Sequence, residues 1–97
     1  MANDLEEPLD PALARETIRA ILVGGTYRFT RHAEEEMAKD ALTRVDCVNV
    51  LRGGWLDPAE FENGSWRYRV HTQRITVVVA FRSREALVVV TAWRVKS

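Results

Sequence analysis

The sequence predicts an α+β domain: N-terminal helices packed on one face of a twisted C-terminal antiparallel sheet. Three observations carry this. Between Asp10 and Gly54 apolar residues recur at helical spacing, and after Gly54 they alternate. Gly-Gly pairs at 24–25 and 53–54 close two of the helical stretches. Asn63-Gly64 lies between alternating segments and is a strong two-residue hairpin signal.

In chain order, residues 1–9 read as a flexible arm and residues 10–97 as a single domain. Asp10-Pro11 starts the first helix: a capping acid, then proline at the first helical position. Leu13, Thr17, Ile18, Ile21 and Leu22 follow at helical spacing, with Arg15, Glu16 and Arg19 turned outward. Residues 26–30 are aromatic and β-branched, a strand or an extended link. A second helix covers 31–39, with Ala33, Met37 and His32 inward and Glu34, Glu35 and Glu36 near its positive end. Thr43 and Asp46 resemble a capping box opening a third helix, with Val45, Val48 and Leu51 on one face. Pro58 restricts 55–61 to an edge strand. Residues 66–71 alternate, and 74–82 and 87–95 are the most apolar strands, the expected sheet centre.

The chain has 97 residues, 46% of them hydrophobic, a composition for one globular domain. Its single cysteine, Cys47, forms no internal disulfide, which points to a reducing compartment and most simply the cytoplasm. Cys47 with two histidines makes a poor zinc set, so neither metal nor cofactor is expected. The apolar runs 77–81 and 86–90 are far too short to span a membrane. The net charge is zero, but residues 1–62 hold 13 acids and 7 bases while residues 63–97 hold one acid, Glu85, and 7 bases. A basic sheet facing nucleic acid is one reading; acidic helices neutralising a basic sheet is the other.

With two-residue turns at Asn63-Gly64 and Thr72-Gln73, Phe61 falls opposite Trp66, Tyr68 opposite Val77 and Val70 opposite Ile75. That face is apolar and meets the helices. The other face carries Arg67, Arg69, His71, Arg74 and Arg82. The connection after Arg82 stays open: one turn length puts Thr91 and Trp93 on the basic face, one residue more puts Ala92 and Arg94 there. His71 between Arg69 and Arg74, with Arg82 on the next strand, is the best local set for acid–base work on a phosphodiester. The competing readings are plain ones. His71 is an idle residue beside a turn, Arg67 pairs with Glu60 across strands, Cys47 is structural, and Trp55, Trp66 and Trp93 pack rather than stack on bases.

Several motifs then come together. A helix ends in Gly24-Gly25; Phe29-Thr30-Arg31-His32-Ala33 and Met37 follow; a capped helix ends Val50-Leu51-Arg52-Gly53-Gly54; and the sheet finishes Val90-Thr91-Ala92-Trp93-Arg94. Over residues 13–95 this resembles the family of domain of unknown function 4258, and with it a branch of the RelE/ParE toxin superfamily near the BrnT and MqsR toxins. The resemblance implies a RelE-like fold, cleavage of messenger RNA without a metal, and neutralisation by an antitoxin protein. It adds His32 and Arg94 as candidate site residues, His32 having the plainer alternative of a core or capping role. The chain departs from the family pattern at Glu34-Glu35-Glu36, where an arginine is common.

The leading expectation is therefore an RNA-cleaving toxin of a toxin–antitoxin pair. His71, His32 and Arg82 would be catalytic, and Arg67, Arg69, Arg74 and Arg94 would hold RNA, ribosome-bound messenger RNA included. The alternative is a non-catalytic RNA- or protein-binding module of the same fold. A third is an immunity-type protein that uses its acidic half to block a basic toxin.

Overall fold

The computed structural model describes residues 5–96. Among them run α1 (Pro11–Gly24), β1 (Thr26–Phe29), α2 (Arg31–Lys39), α3 (Arg44–Gly53), β2 (Trp55–Leu56), β3 (Glu60–Glu62), β4 (Ser65–His71), β5 (Ile75–Ser83) and β6 (Ala86–Arg94). The helices pack against a largely antiparallel sheet, so the chain is α+β.

Local chemistry sets the helix ends. The Asp10 carboxylate accepts the Leu13 N–H at 2.8 Å, with Pro11 in the first turn. Thr30 caps α2 by accepting from the Ala33 N–H at 3.0 Å, and its hydroxyl donates to the Val90 carbonyl at 3.2 Å. Thr43 and Asp46 close a full capping box, at 2.9 and 3.1 Å. At Gly25 a Cβ would stand 2.3 Å from the Glu85 carbonyl oxygen, so only glycine lets the end of α1 meet the β5–β6 turn.

The faces of two helices differ from the spacing reading. Leu13 is 47% exposed and Val45 67% exposed. The buried sets are Ala14, Ile18 and Ile21 on α1, and Cys47, Val50 and Leu51 on α3. Small residues, Ala14 and Cys47, take the close-packed positions, which a reading weighted toward large apolar residues passes over. His32 is exposed instead of inward.

The strand order is β1-β6-β5-β4-β2, with β3 pairing β4 alone. β1 runs parallel to β6; the other pairings are antiparallel. Residues 26–30 thus supply an edge strand. The Asn63-Gly64 hairpin forms with φ 49° and 82°, the left-handed pair such a turn needs. Phe61 pairs with Trp66, rings 5.2 Å apart and edge-on.

The next turn lies one residue later than expected, at Gln73-Arg74. The Thr72 N–H donates to the Ile75 carbonyl at 2.9 Å, and the Thr72 hydroxyl accepts from the Arg74 and Ile75 N–H groups at 3.2 and 3.1 Å. Pairing becomes Tyr68↔Val79, Val70↔Val77 and His71↔Thr76. The offset from expectation is even, so each side chain keeps its face. The last turn is Arg84-Glu85, since Ser83 pairs with Ala86. Arg82 is an extra residue on β5 and Val90 an extra residue on β6, and the two irregularities cancel.

One core joins the buried helix residues, including Ala33 and Met37 of α2, to Tyr68, Val70, Val77, Val79, Phe81, Leu87, Val89 and Ala92. Full burial of a side chain such as Ile18 contributes about 1.5–3 kcal/mol. The expected flexible arm lies partly outside the described residues. Its described part is docked: Leu9 is buried, Leu5 packs on the core, and the Tyr68 hydroxyl accepts the Leu9 N–H at 3.0 Å and donates to Glu7 Oε2 at 2.9 Å.

Candidate nucleic-acid interface

The sheet face opposite the core carries the alternate residues of each strand. Register places Trp55, His71, Thr76 and Trp93 in one row across β2, β4, β5 and β6. The next row is Arg69, Val78 and Thr91. A third holds Ala80 and Val88, with Arg28 of β1 beside Val88. Among the described residues no helix covers this side, yet Thr76, Val78, Ala80 and Val88 are buried. They form a closed floor between taller residues. The two-residue turn at Arg84-Glu85 settles the open end of the sheet, since the two bulges cancel: Thr91 and Trp93 stand on this face, and Ala92, fully buried, on the other.

His71 is the best-held side chain of the face. At Gly54 a Cβ would sit 2.5 Å from the His71 carbonyl oxygen, so glycine is what lets β2 close on β4 there. That pairing sets Trp55 opposite His71, ring centroids 5.8 Å apart. His71 Nδ1 lies 2.9 Å from the Thr76 hydroxyl and Nε2 lies 2.6 Å from Asp57 Oδ2. A neutral ring donates from Nε2 to Asp57 and accepts from Thr76; a charged ring donates to both. Either way both nitrogens are engaged. Asp57 was missed by the sequence reading. Its signal is parity: two residues past Trp55 and just beyond β2, where its N–H still donates to the Arg69 carbonyl at 3.2 Å, it shares that residue's face.

The arginines divide. Arg69 stays on the face and pairs with Glu60 at 3.5 Å. Arg67, aligned with Glu60, donates instead to Ser65 Oγ at 2.9 Å. Arg74 occupies the turn and does not stand opposite His71, because the turn forms one residue later. Arg82 is exposed, and as a bulge residue its side is no longer set by alternation. Arg94, whose side the sequence left open, lies off this face and donates from Nε to the Asp40 carbonyl at 2.8 Å and from its guanidinium to the Ala41 carbonyl at 3.3 Å. No hydrogen bond, ion pair or ring contact among the described residues joins His32 to His71. Asp57 and Glu60 place acid along the β4 margin, so the face is mixed in charge.

Two other titratable groups are structural. Burial pushes the Cys47 thiol up to about 11, helped by the nearby Asp46 carboxylate. Burial also pushes the Tyr68 phenol well above its ordinary range. Among the described residues no group of three His, Cys, Asp or Glu side chains is placed to hold a metal ion, and no helix is long and apolar enough to cross a membrane.

These features define an α+β domain with one packed sheet face and one open face bearing tryptophan, histidine and arginine. The profile of the domain of unknown function DUF4258 matches residues 29–94, and the chain belongs to that family. Searches of curated proteins and of solved structures found no significant match.

Proposed function

We propose that this domain is a RelE-like RNA-binding module that takes single-stranded RNA on its open sheet face. The observation that carries the reading is the row Trp55–His71–Thr76–Trp93 beside Arg69. With strands about 4.8 Å apart, the two indoles stand roughly 14 Å from each other, room for two or three bases between them. Aromatic faces accept any base by stacking, and Arg67 and Arg69 supply forks for phosphate. The motifs at 29–33 and 90–94 resemble the DUF4258 family, and that family's likeness to a branch of the RelE/ParE toxins supports RNA as the ligand class. The arrangement does not favour cleavage: both His71 nitrogens are bonded, and Arg94 and His32 stand apart from them.

Anisotropy of a labelled single-stranded RNA tests this. Stacking is worth about 1–3 kcal/mol per base, so Trp55→Ala and Trp93→Ala should each weaken binding roughly 5- to 150-fold. Arg69→Ala should flatten the salt dependence. Absence of binding at low salt, or unchanged affinity in both tryptophan variants, overturns the proposal.

One observation favours a second reading, a metal-independent endoribonuclease toxin held by an antitoxin. Asp57 at 2.6 Å from His71 Nε2 is a carboxylate–imidazole pair, which orients the ring. Release of Nδ1 from Thr76 would expose a base for the 2′-OH. RNA cut by wild type and left whole by Asp57→Asn would establish that reading in place of simple binding.

A further inference from the structure

The outer edge of β1 is the second surface with unmet bonding capacity. The Thr26 and Thr30 N–H groups donate toward the β6 side, to the Glu85 and Val89 carbonyls at 2.9 and 3.0 Å. Backbone direction alternates in a strand, so Arg28 also turns to β6 while Tyr27 and Phe29 turn N–H and C=O outward. Among the described residues nothing pairs with those outward groups.

A groove of about 400 Å³ runs beside this edge, lined by Tyr27, Phe29, Arg44, Val45, Val48 and Arg52. Its walls include Val45, 67% exposed, and Tyr27, 39% exposed. Its polar members are mainly basic. The Arg44 guanidinium lies over the Phe29 ring, 5.2 Å from its centroid, and also pairs with Glu34. Arg52 stands in the last turn of α3. Arg28 lies outside the groove, on the other side of β1 in line with Val88.

We infer that this edge and groove dock an extended acidic segment of another protein, added as a strand to β1. Backbone bonds to Tyr27 and Phe29 hold the segment in register. Its alternate apolar side chains enter the groove, and the carboxylates between them, on the other side of the added strand, meet Arg28. A second copy of this chain fits poorly. An antiparallel β1–β1 pairing through Tyr27 and Phe29 sets Arg28 against Arg28, like charges directly opposite. The same arginine that discourages self-pairing selects an acidic strand.

The test uses two synthetic peptides of roughly six residues. One alternates valine with glutamate, the other valine with lysine. Amide NMR of the full chain is expected to show shifts and slowed exchange at Tyr27 and Phe29 with the glutamate peptide only. Tyr27→Pro removes an outward N–H while sparing the β6 ladder, and should abolish that response. Arg28→Glu should weaken binding roughly tenfold or more, with the fold checked by circular dichroism. The inference is overturned if the lysine peptide binds equally, if shifts fall on the Trp55–Trp93 row in place of β1, if the charge-reversed variant binds like wild type, or if sedimentation shows self-association that Tyr27→Pro abolishes. RNA binding by the opposite surface is unaffected by any of these outcomes.

Discussion

Replacing His71 by alanine separates the structural from the functional weight of the open face. The imidazole is the hydrogen-bond partner of the Thr76 hydroxyl, and Thr76 is 2% exposed. Its removal strands a buried hydroxyl, at about 1–3 kcal/mol. It also removes the ring contact with Trp55, worth about 0.5–1.5 kcal/mol. Asp57 loses its partner but is 48% exposed and returns to water, so its share is small. The expected cost is roughly 2–4 kcal/mol, read as a shift in the urea midpoint. For a domain of this size that lowers the thermal midpoint by about 10 °C or more. Adding Thr76→Val to the alanine variant removes the stranded hydroxyl and should restore about 1–2 kcal/mol. A His71→Ala chain within about 0.5 kcal/mol of wild type, or a double variant with no recovery, would refute the reasoning.

Three further outcomes follow from the same geometry. Tyr68→Phe keeps the ring against Phe81 but leaves the buried Leu9 N–H without its acceptor; it should cost about 1–3 kcal/mol and expose residues 5–9 to proteolysis, while RNA affinity is unchanged. Arg94→Ala removes the ties to the Asp40 and Ala41 carbonyls and should destabilise by about 1 kcal/mol in denaturant titration, again without loss of RNA affinity. Asp46 is held below the ordinary aspartate range by the Thr43 backbone N–H and then the Thr43 hydroxyl. Its folded state therefore binds a proton less readily than its unfolded state, so its contribution is present above the ordinary aspartate range and lost as pH falls below it. Acid titration of unfolding should accordingly show a shallower loss for Asp46→Asn than for wild type.

Much of the candidate face was legible before folding. Arg67, Arg69 and His71 alternate along one strand, and no two-residue shift of register moves them off their side. Two of the three helix caps, Asp10 and Thr43, are local bonds between residues three apart and were readable without a partner strand, whereas Thr30 was read as the end of an extended link and shows its capping role only in the structure. Asn63-Gly64 carried its own turn geometry. Asp57 and Arg94 show where that legibility stops. Each is defined by a partner many positions away, His71 for one and the α2–α3 loop for the other.

What the sequence alone determined, then, is the α+β order and the two-sided character of β4. Both follow from periods of a few residues. What only the tertiary structure decided is which of Thr91, Trp93 and Arg94 joins the open face, and that residues 26–29 pair with β6. Residues 86–90 are apolar without alternation, so their own order cannot say which side each takes. The two-residue turn at Arg84-Glu85 leaves Thr91 and Trp93 outside and Ala92 inside, and the bulges at Arg82 and Val90 seat Leu87 and Val89 against the helices between them. The burial that a whole helix layer offers those three side chains outweighs any local preference, and it exists only once the chain has closed on itself.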